Sequence, residues 1–391
     1  MTVFDGDSIS GIFALPLSFF VAALFFFVFV FVFVFGWYSP SVFNRFNVLA
    51  FFPILLFFWL TSAVQIQDGD WSLFGVYFAP LCLGFFLAHT TKMQSIEALR
   101  NIFQGFSSSL VAAAFLHLAS SFFTYGFTAA FVNRGEDSIF GYFSIYQKYI
   151  YYATLLSFAF FLVIFLQKGW LRLMGAIVLI LDIFMIGSRE SIILVIFFTL
   201  VTSFASGKNL VSKIVFLVKS TLISISIFML VVFFVGNSVG DFMVVMKIMD
   251  IVNSSDPGEL TAGRSDTISN VISAFSIDEV FLLFGSGFRT DVGELGTPHN
   301  QYIEWFLRGG VLFLIFNLMC IIYAVYFYFK SGGRVQLAAG FILLSTILIS
   351  NNVNTPFRVP YASVWLWVLI GVAFKINLNL RTKKPPLASS C

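Results

Sequence analysis

A run of polar residues near position 300 contains the residue types that acid–base chemistry requires. Residues 297–305 read TPHNQYIEW. Thr297 can cap a helix and Pro298 suits its first turn, so the sequence predicts a helix start whose free N–H groups favour an anion such as phosphate. His299 would lie at this anion site, where the positive end of the helix dipole favours the neutral imidazole of a general base. The alternative is a histidine with a purely structural role.

Arg264 opens a second candidate stretch. It falls on the same helical stripe as Ile268, Val271 and Phe275, which predicts a short helix at a membrane surface. A guanidinium there is well placed to bind phosphate through its fork of donors. The alternative is an arginine that snorkels from an apolar face towards water.

A tight turn around Arg189 is the third candidate, and it reads GSRES from position 187. Arg189 could pair with Glu190, or with Asp182, which lies roughly 10 Å deeper if the preceding helix continues to the turn. An ionisable residue inside a membrane span is a functional candidate by default. Asp182 is therefore either a partner of Arg189 or a packing residue.

The elements that hold these residues must be membrane helices. Of the 391 residues, 59% are hydrophobic, 10% are charged and 55 are phenylalanine, whereas a soluble domain has about 25% charged residues. This composition excludes a soluble globular protein. Apolar stretches long enough to cross a bilayer as helices predict eleven spans, at 12–35, 48–64, 73–89, 107–125, 150–167, 170–187, 190–206, 214–236, 306–329, 335–350 and 361–379.

The charges of the connecting loops predict the orientation of these spans. Most of the 22 Lys and Arg residues lie in alternate short connections, and such residues mark the cytoplasmic side. The C-terminus is then inside and the N-terminus outside. Residues 237–300 form one large loop on the outer face, and residues 1–391 are predicted to form a single polytopic domain that contains this loop.

Other polar groups favour simpler interpretations. The net charge of +3 is too small for a nucleic-acid surface, and the three histidines and three cysteines show no metal-ligand spacing. Neither a metal nor a cofactor is therefore predicted. Asn351, Asn352 and Asn354, with Arg358 close behind, could bind sugar hydroxyls or could form a solvated helix end.

Taken together, several of these segments resemble the bacterial O-antigen polymerase and O-antigen ligase superfamily. The turn GSR at 187–189 resembles the family's Ser-Arg turn, and GR at 263–264 resembles the arginine of its large periplasmic loop. LFGSGF at 283–288, followed by PHNQY at 298–302, resembles its glycine and His-Asn segment, and GG at 309–310 also fits. These motifs lie in one third of the chain, whereas the many-helix layout covers all of it.

The resemblance implies a metal-independent glycosyltransferase with a type C-like fold, which is an all-α integral membrane protein whose large periplasmic loop carries short helices. The donor would be an undecaprenyl-diphosphate-linked glycan, used in the bacterial inner membrane by a site that faces the periplasm. The resemblance implies His299 as the catalytic base. It also implies five residues that bind diphosphate or glycan: Arg189, Arg264, Arg289, Asn300 and Arg308. One base without a carboxylate nucleophile predicts inversion at the anomeric carbon.

Polymerase and ligase differ in their acceptor. We favour a polymerase, which transfers the glycan onto another lipid-linked repeat unit and would have a chain-length regulator and membrane lipid as partners. A phenylalanine-rich chain with eleven spans rather than twelve favours this choice. The alternative is a ligase, which transfers the glycan to lipid A-core. A further alternative is a flippase or other transporter, but internal repeats and paired broken helices are typical of that class, and neither is visible in the sequence.

Overall fold

The computed structural model describes residues 96–134, 149–206 and 299–382, together with nine isolated positions. These residues form helices joined by short turns, and they contain no strand. The helices are α1 (Ile96–Tyr125), α2 (Phe127–Val132), α3 (Tyr149–Leu166), α4 (Gly169–Ile186), α5 (Arg189–Ser206), α6 (Gln301–Ser331), α7 (Arg334–Ser345), α8 (Asn351–Val353) and α9 (Pro360–Thr382). A π-helical turn, Thr346–Ser350, precedes α8, and a 3-10 turn, Pro356–Arg358, follows it. The predicted all-α class is confirmed for this part of the chain.

Each predicted span that falls within the described ranges coincides with a helix. The largest differences are at α1 and α6, which begin at Ile96 and Gln301 rather than at 107 and 306. Among the described residues, five helices are long and apolar enough to cross a membrane: Ile96–Tyr125, Tyr149–Leu166, Gly169–Ile186, Gln301–Ser331 and Arg334–Val353. The predicted spans 12–35, 48–64, 73–89 and 214–236 lie outside the described residues apart from isolated positions, as does nearly all of the loop 237–300. The total of eleven spans stays a prediction.

The chain divides into two compact units. One unit, here called the terminal unit, comprises Met1–Leu99 and Arg264–Cys391. The other, here called the middle unit, comprises Arg100–Gly263. The candidate residues His299, Asn300 and Arg308 belong to the terminal unit, whereas Arg189 belongs to the middle unit.

Helix α3 lies at the centre of the middle unit. Its residues Tyr152–Phe165 are all buried, as expected for a helix that is apolar on every side. Helices α4 and α5 each pack along α3 more extensively than they pack on each other. Phe161 of α3 stacks on Phe198 of α5, with ring centroids 4.4 Å apart. Helix α1, by contrast, exposes Phe123, which is 91% accessible. A side chain that faces lipid can be exposed in this way.

Helix α6 is the main helix of the terminal unit, where it packs along α7 and α9. It breaks at Gly309 and Gly310, whose backbone angles (φ −139°, ψ 19° and φ 64°, ψ −168°) are not helical. Glycine allows this break because it adopts positive φ without a steric penalty. The hydroxyl of Tyr328, further along α6, donates to the carbonyl of Leu369 in α9 over 2.6 Å.

Helix α7 is also interrupted, because it widens into the π turn Thr346–Ser350. The side chains of Ser345 and Thr346 both donate to the carbonyl oxygen of Ile342, over 2.8 and 2.9 Å, and such bonds compete with the helical ladder. The expectation of no paired broken helices stays a prediction, because these two interruptions lie in neighbouring helices of one unit rather than at corresponding positions of two repeats. The glycine pair and the Ser-Thr pair do not make these stretches less apolar overall, so the hydropathy of the sequence did not indicate the breaks.

Candidate functional site

Asn300 caps the N-terminus of α6. Its backbone is extended (φ −141°, ψ 118°) and its side-chain oxygen accepts hydrogen bonds from the N–H groups of Tyr302 and Ile303, over 3.0 and 3.2 Å. The predicted helix start at Thr297 and Pro298 is wrong, because asparagine is a better cap than threonine and α6 begins three residues later. Two of the N–H groups in the first turn of α6 are therefore bonded to this cap.

His299 lies immediately before the cap rather than in the first helical turn. Its backbone has φ 41°, a left-handed conformation that costs a non-glycine residue about 1–2 kcal/mol. The residue is exposed. Backbone strain of this kind clusters at functional sites, where the surrounding structure holds it. The structure therefore places the predicted base at an accessible and conformationally constrained position.

Glu304, one turn inside α6, is the anion of a buried charged cluster. Its Oε1 accepts hydrogen bonds from Nε of Arg308 over 3.2 Å and from the hydroxyl of Tyr77 over 3.1 Å. The same oxygen lies 3.9 Å from Nη1 of Arg358. Glu304 is 1% exposed and Arg308 is 5% exposed, whereas the side chain of Arg358 is 30% exposed. Arg358 is therefore the more accessible of the two arginines in this cluster.

Gln301 joins the start of α6 to the 3-10 turn that precedes α9. Its side-chain oxygen accepts a hydrogen bond from the N–H of Phe357 over 2.9 Å. Trp305 packs against Phe357 with ring centroids 5.1 Å apart. Tyr302 donates its hydroxyl to the carbonyl of Ile347 in the π turn. These contacts place the His-Asn segment and the segment 346–358 against each other.

Two of the three candidate asparagines are inside the protein. Asn351 is 0% exposed and Asn354 is 2% exposed, so a solvated helix end does not describe them. Asn352 is exposed, and its carbonyl oxygen lies 3.4 Å from the side-chain nitrogen of Asn300. The polar cluster thus includes residues from α6, α8 and the 3-10 turn. Sequence reasoning considered Asn351–Arg358 separately from His299 and did not include Arg358 among the predicted site residues.

Several buried polar atoms in this region have no hydrogen bond among the described residues, and they include Oε2 of Glu304 and Nε2 of Gln301. An unsatisfied buried polar group costs about 1–3 kcal/mol. The first is an acceptor and the second is a donor, and both atoms are buried.

Gly285 lies in close contact with the backbone of α6 at its break. It has φ 70°, and a Cβ atom at this position would lie 2.6 Å from the backbone nitrogens of Gly309 and Gly310. The same Cβ atom would lie 2.6 Å from the carbonyl oxygen of Leu307. Only glycine fits here, so Gly285 packs directly against the backbone of the kink at Gly309 and Gly310.

Arg189 is the first residue of α5 and follows a two-residue turn. Gly187 ends α4 in the left-handed conformation (φ 67°, ψ 36°), and its N–H donates to the carbonyl of Ile183 over 3.0 Å. Ser188 accepts the first bond of α5, from the N–H of Ile192 over 3.2 Å. The predicted tight turn at 187–189 is confirmed. Arg189 itself is partly buried, and the neighbouring Glu190 is 3% exposed.

Asp182 has partners that the sequence did not suggest. Its Oδ1 lies 2.7 Å from Nδ1 of His117, and its Oδ2 accepts a hydrogen bond from the hydroxyl of Tyr152 over 3.2 Å. The interpretation of Asp182 as either a partner of Arg189 or a packing residue therefore misses its main contacts. The available signal was that two ionisable residues, His117 and Asp182, each lie in an apolar span, and such residues tend to pair.

The remaining predicted site residues, Arg264 and Arg289, lie outside the described residues. The terminal unit thus brings together His299, Asn300 and Arg308 among the predicted residues, and adds Glu304 and Arg358.

Comparison with known proteins adds no relative: no protein-family model matches the chain, and no curated protein matches it.

Proposed function

We propose that the protein is a surface-polysaccharide polymerase of the O-antigen type. It transfers an undecaprenyl-diphosphate-linked glycan onto another lipid-linked repeat unit. The observation that carries the proposal is the position of His299, an exposed and strained histidine, directly before a helix whose first two turns hold the buried Glu304–Arg308 pair. This arrangement supplies a base and cations, which are the two things that the reaction requires.

His299 acts as the general base on the acceptor. It removes the proton of an acceptor hydroxyl while that oxygen attacks the anomeric carbon of the donor. The bond between the anomeric carbon and the diphosphate oxygen breaks, and the diphosphate leaves with the electron pair. Attack from the face opposite the leaving group inverts the anomeric configuration.

Arg358 stabilises the leaving diphosphate. Its guanidinium is partly exposed and is oriented by Glu304 at 3.9 Å, so it can present fork-shaped donors to phosphate oxygens as charge develops there. Arg308 is more deeply buried and binds Glu304 directly. We assign two roles to Arg308. It holds the side chain of Glu304 in place, and it contributes to the positive potential of the site. The roles of Arg189, Arg264 and Arg289 as further diphosphate ligands stay predictions from the sequence.

Buried amides supply contacts to the glycan. Nε2 of Gln301 and Oε2 of Glu304 offer a donor and an acceptor that lack partners among the described residues, and Asn351 and Asn354 lie in the same region. Sugar hydroxyls can both donate and accept, so they can satisfy these atoms. A cluster of this type favours an oligosaccharide over a purely apolar ligand.

The proposal includes a location in the bacterial inner membrane with the site on the periplasmic side. The distribution of Lys and Arg among the short loops supports this orientation, with eleven spans, a cytoplasmic C-terminus and the loop 237–300 outside. A donor linked to a membrane lipid fits this location, because nucleotide sugars are not supplied there.

A transporter of lipid-linked oligosaccharide is the second candidate, and one observation favours it. Helix α6 breaks at Gly309–Gly310 and α7 widens into a π turn, and discontinuous helices form substrate sites in transporters. The strained histidine next to Asn300 favours the enzyme instead, because transport requires no base at the surface.

The test is a lipopolysaccharide gel of a deletion strain that carries wild type, His299→Ala, Arg358→Ala or Lys330→Ala. Lys330 is a matched control, since it is a cation at the opposite end of α6. We expect wild type and Lys330→Ala to give a long ladder, and the other two variants to give core with a single repeat unit at normal protein level.

Other outcomes identify the alternatives. Core without any repeat unit, together with accumulated lipid-linked polymer, identifies a ligase. Core without any repeat unit, together with accumulated single lipid-linked units, identifies a transporter. An unchanged ladder in the deletion strain contradicts all three functions.

A further inference from the structure

A buried polar cluster in the middle unit joins three helices. Asp182 of α4 binds His117 of α1 at 2.7 Å and accepts a hydrogen bond from Tyr152 of α3 over 3.2 Å. The three residues are 0%, 4% and 3% exposed, respectively. The rings of His117 and Tyr152 meet edge to face, with centroids 6.0 Å apart. The cluster is thus compact and shielded from solvent.

Asp182 fixes how α4 is rotated about its own axis. Each carboxylate oxygen binds a different neighbouring helix, so a rotation of α4 would break both contacts. Removing one partner of a buried hydrogen-bonded pair is costly, because the remaining polar group is left desolvated and unsatisfied. Asp182 lies slightly more than one turn before Gly187, where α4 ends. The rotation of α4 therefore sets the direction in which the chain leaves this helix.

A second contact attaches the start of α5 to α3, which also binds Asp182 through Tyr152. The hydroxyl of Ser157 in α3 donates to the carbonyl of Ser191 in α5 over 3.3 Å. Tyr152 and Ser157 both belong to α3, the helix that is buried along Tyr152–Phe165. Helix α3 thus holds α4 through Asp182 and holds α5 through Ser191. Between these two contacts, only the turn Gly187–Ser188 is outside a helix.

We propose that Asp182 is a positioning residue, which sets the direction of the Gly187–Ser188 turn and hence of Arg189 through its contacts with His117 and Tyr152. The inference rests on the proposed function only in that Arg189 is predicted to bind the diphosphate of the donor. The geometric part concerns the turn alone and can be tested separately. A purely structural cluster would instead stabilise all of the middle unit to the same extent.

The test measures the reactivity of two cysteines placed in α5 and its turn. Ser188→Cys reports on the turn and Ser203→Cys reports on the far end of α5, roughly 22 Å away along the helix. The two serines are matched in burial, at 3% and 2% exposed. Each is introduced in a full-length chain whose Cys82, Cys320 and Cys391 are replaced by alanine. The purified protein is reconstituted in lipid nanodiscs and labelled with a water-soluble maleimide.

We expect Asp182→Asn to raise the labelling rate at position 188 by about tenfold, since a buried group that loses a hydrogen-bond partner costs enough free energy for a change of this size. The rate at position 203 should stay within about twofold. Tyr152→Phe should raise the rate at position 188 by about threefold, because it removes one of the two contacts. Tyr328→Phe is the control, since it removes a buried hydrogen bond of the terminal unit and should change neither rate.

An equal rise at positions 188 and 203 overturns the proposal, because it shows a general loss of stability. No rise at position 188 overturns it as well. If the Asp182→Asn protein does not accumulate, the labelling rates of Tyr152→Phe decide between the two outcomes. This variant keeps the contact between Asp182 and His117, so it perturbs the cluster less. The ladder assay then separates the two claims. If Arg189→Ala keeps a long ladder while position 188 responds to Asp182→Asn, the positioning of the turn stands and the diphosphate role of Arg189 is wrong.

Discussion

The side-chain oxygen of Gln301 accepts a hydrogen bond from the backbone N–H of Phe357, 2.9 Å away and 56 residues later in the chain. This bond attaches the start of α6 to the 3-10 turn before α9. As a consequence, His299 and Asn300 belong to the same part of the terminal unit as Asn354 and Arg358. Two segments that the sequence offered as separate candidates therefore lie against each other.

Glu304→Ala should destabilise the protein strongly. The substitution removes the carboxylate that the buried guanidinium of Arg308 binds, and breaking such a pair costs about 3–5 kcal/mol. We expect a clear drop in the temperature at which detergent-solubilised protein loses its monodisperse peak on gel filtration. Glu97→Ala, at an exposed position in the first turn of α1, is the control and should change stability by less than about 0.5 kcal/mol. Equal melting temperatures for the two variants would refute the structural role of Glu304.

Gly285→Ala should be more harmful than Gly126→Ala. Both glycines have left-handed backbones, with φ of 70° and 76°, but a Cβ atom at Gly126 meets nothing within 4 Å. Gly126 has ψ 170°, a backbone region that glycine alone adopts readily, so Gly126→Ala measures the backbone strain alone, about 1–3 kcal/mol. Gly285→Ala adds a clash at 2.6 Å with the backbone of Gly309 and Gly310, and its loss of thermal stability should be at least about twice as large. Similar losses for both variants would show that Gly285 does not pack on the kink.

His299→Asn should separate stability from activity. Asparagine tolerates the left-handed backbone at this position, so the melting temperature should match that of wild type. The amide cannot act as a general base, so the polysaccharide ladder should collapse to a single repeat unit. The measurement pairs thermal unfolding with the gel assay on the same preparations. A long ladder from His299→Asn would exclude His299 as the base.

Asn300→Asp should separate the cap from any contact with substrate. An aspartate side chain still accepts from the N–H groups of Tyr302 and Ile303, so stability should be kept, whereas Asn300→Ala should lose about 1 kcal/mol. Aspartate lacks the N–H group whose nitrogen lies 3.4 Å from the carbonyl oxygen of Asn352, and it adds a negative charge next to the proposed diphosphate site. We expect a shorter ladder from Asn300→Asp at normal protein level. A wild-type ladder would mean that Asn300 serves only as the cap.

The sequence predicted the helices of the described part well, because each apolar run is long enough for a bilayer and its polar ends are distinct. It could not predict which helix lies inside. Phe161 is 0% exposed and Phe123 is 91% exposed, yet both belong to apolar runs that are long enough to cross a bilayer. Lipid and protein interiors accept the same side chains, so hydropathy does not distinguish a central helix from a peripheral one.

The candidate site was predicted in part. His299 and Asn300 were identified from their neighbours in sequence, although the helix begins later than Thr297 because Asn300 is the cap. The contact of Glu304 with Arg358 and that of His117 with Asp182 join residues that are far apart in the chain. Such pairings depend on how helices pack, which a single sequence does not specify.

The π turn makes the site sensitive to the number of residues in the chain. Removing one residue between Thr346 and Ser350 would let the wide turn close into an ordinary α-helix. Successive α-helical residues are about 100° apart around the axis, so everything that follows would rotate by that angle relative to α7. Asn351 would leave the interior, and the turn that binds Gln301 would lose its register. Side-chain changes at the exposed Leu348 should be tolerated in this segment, whereas insertions and deletions should not.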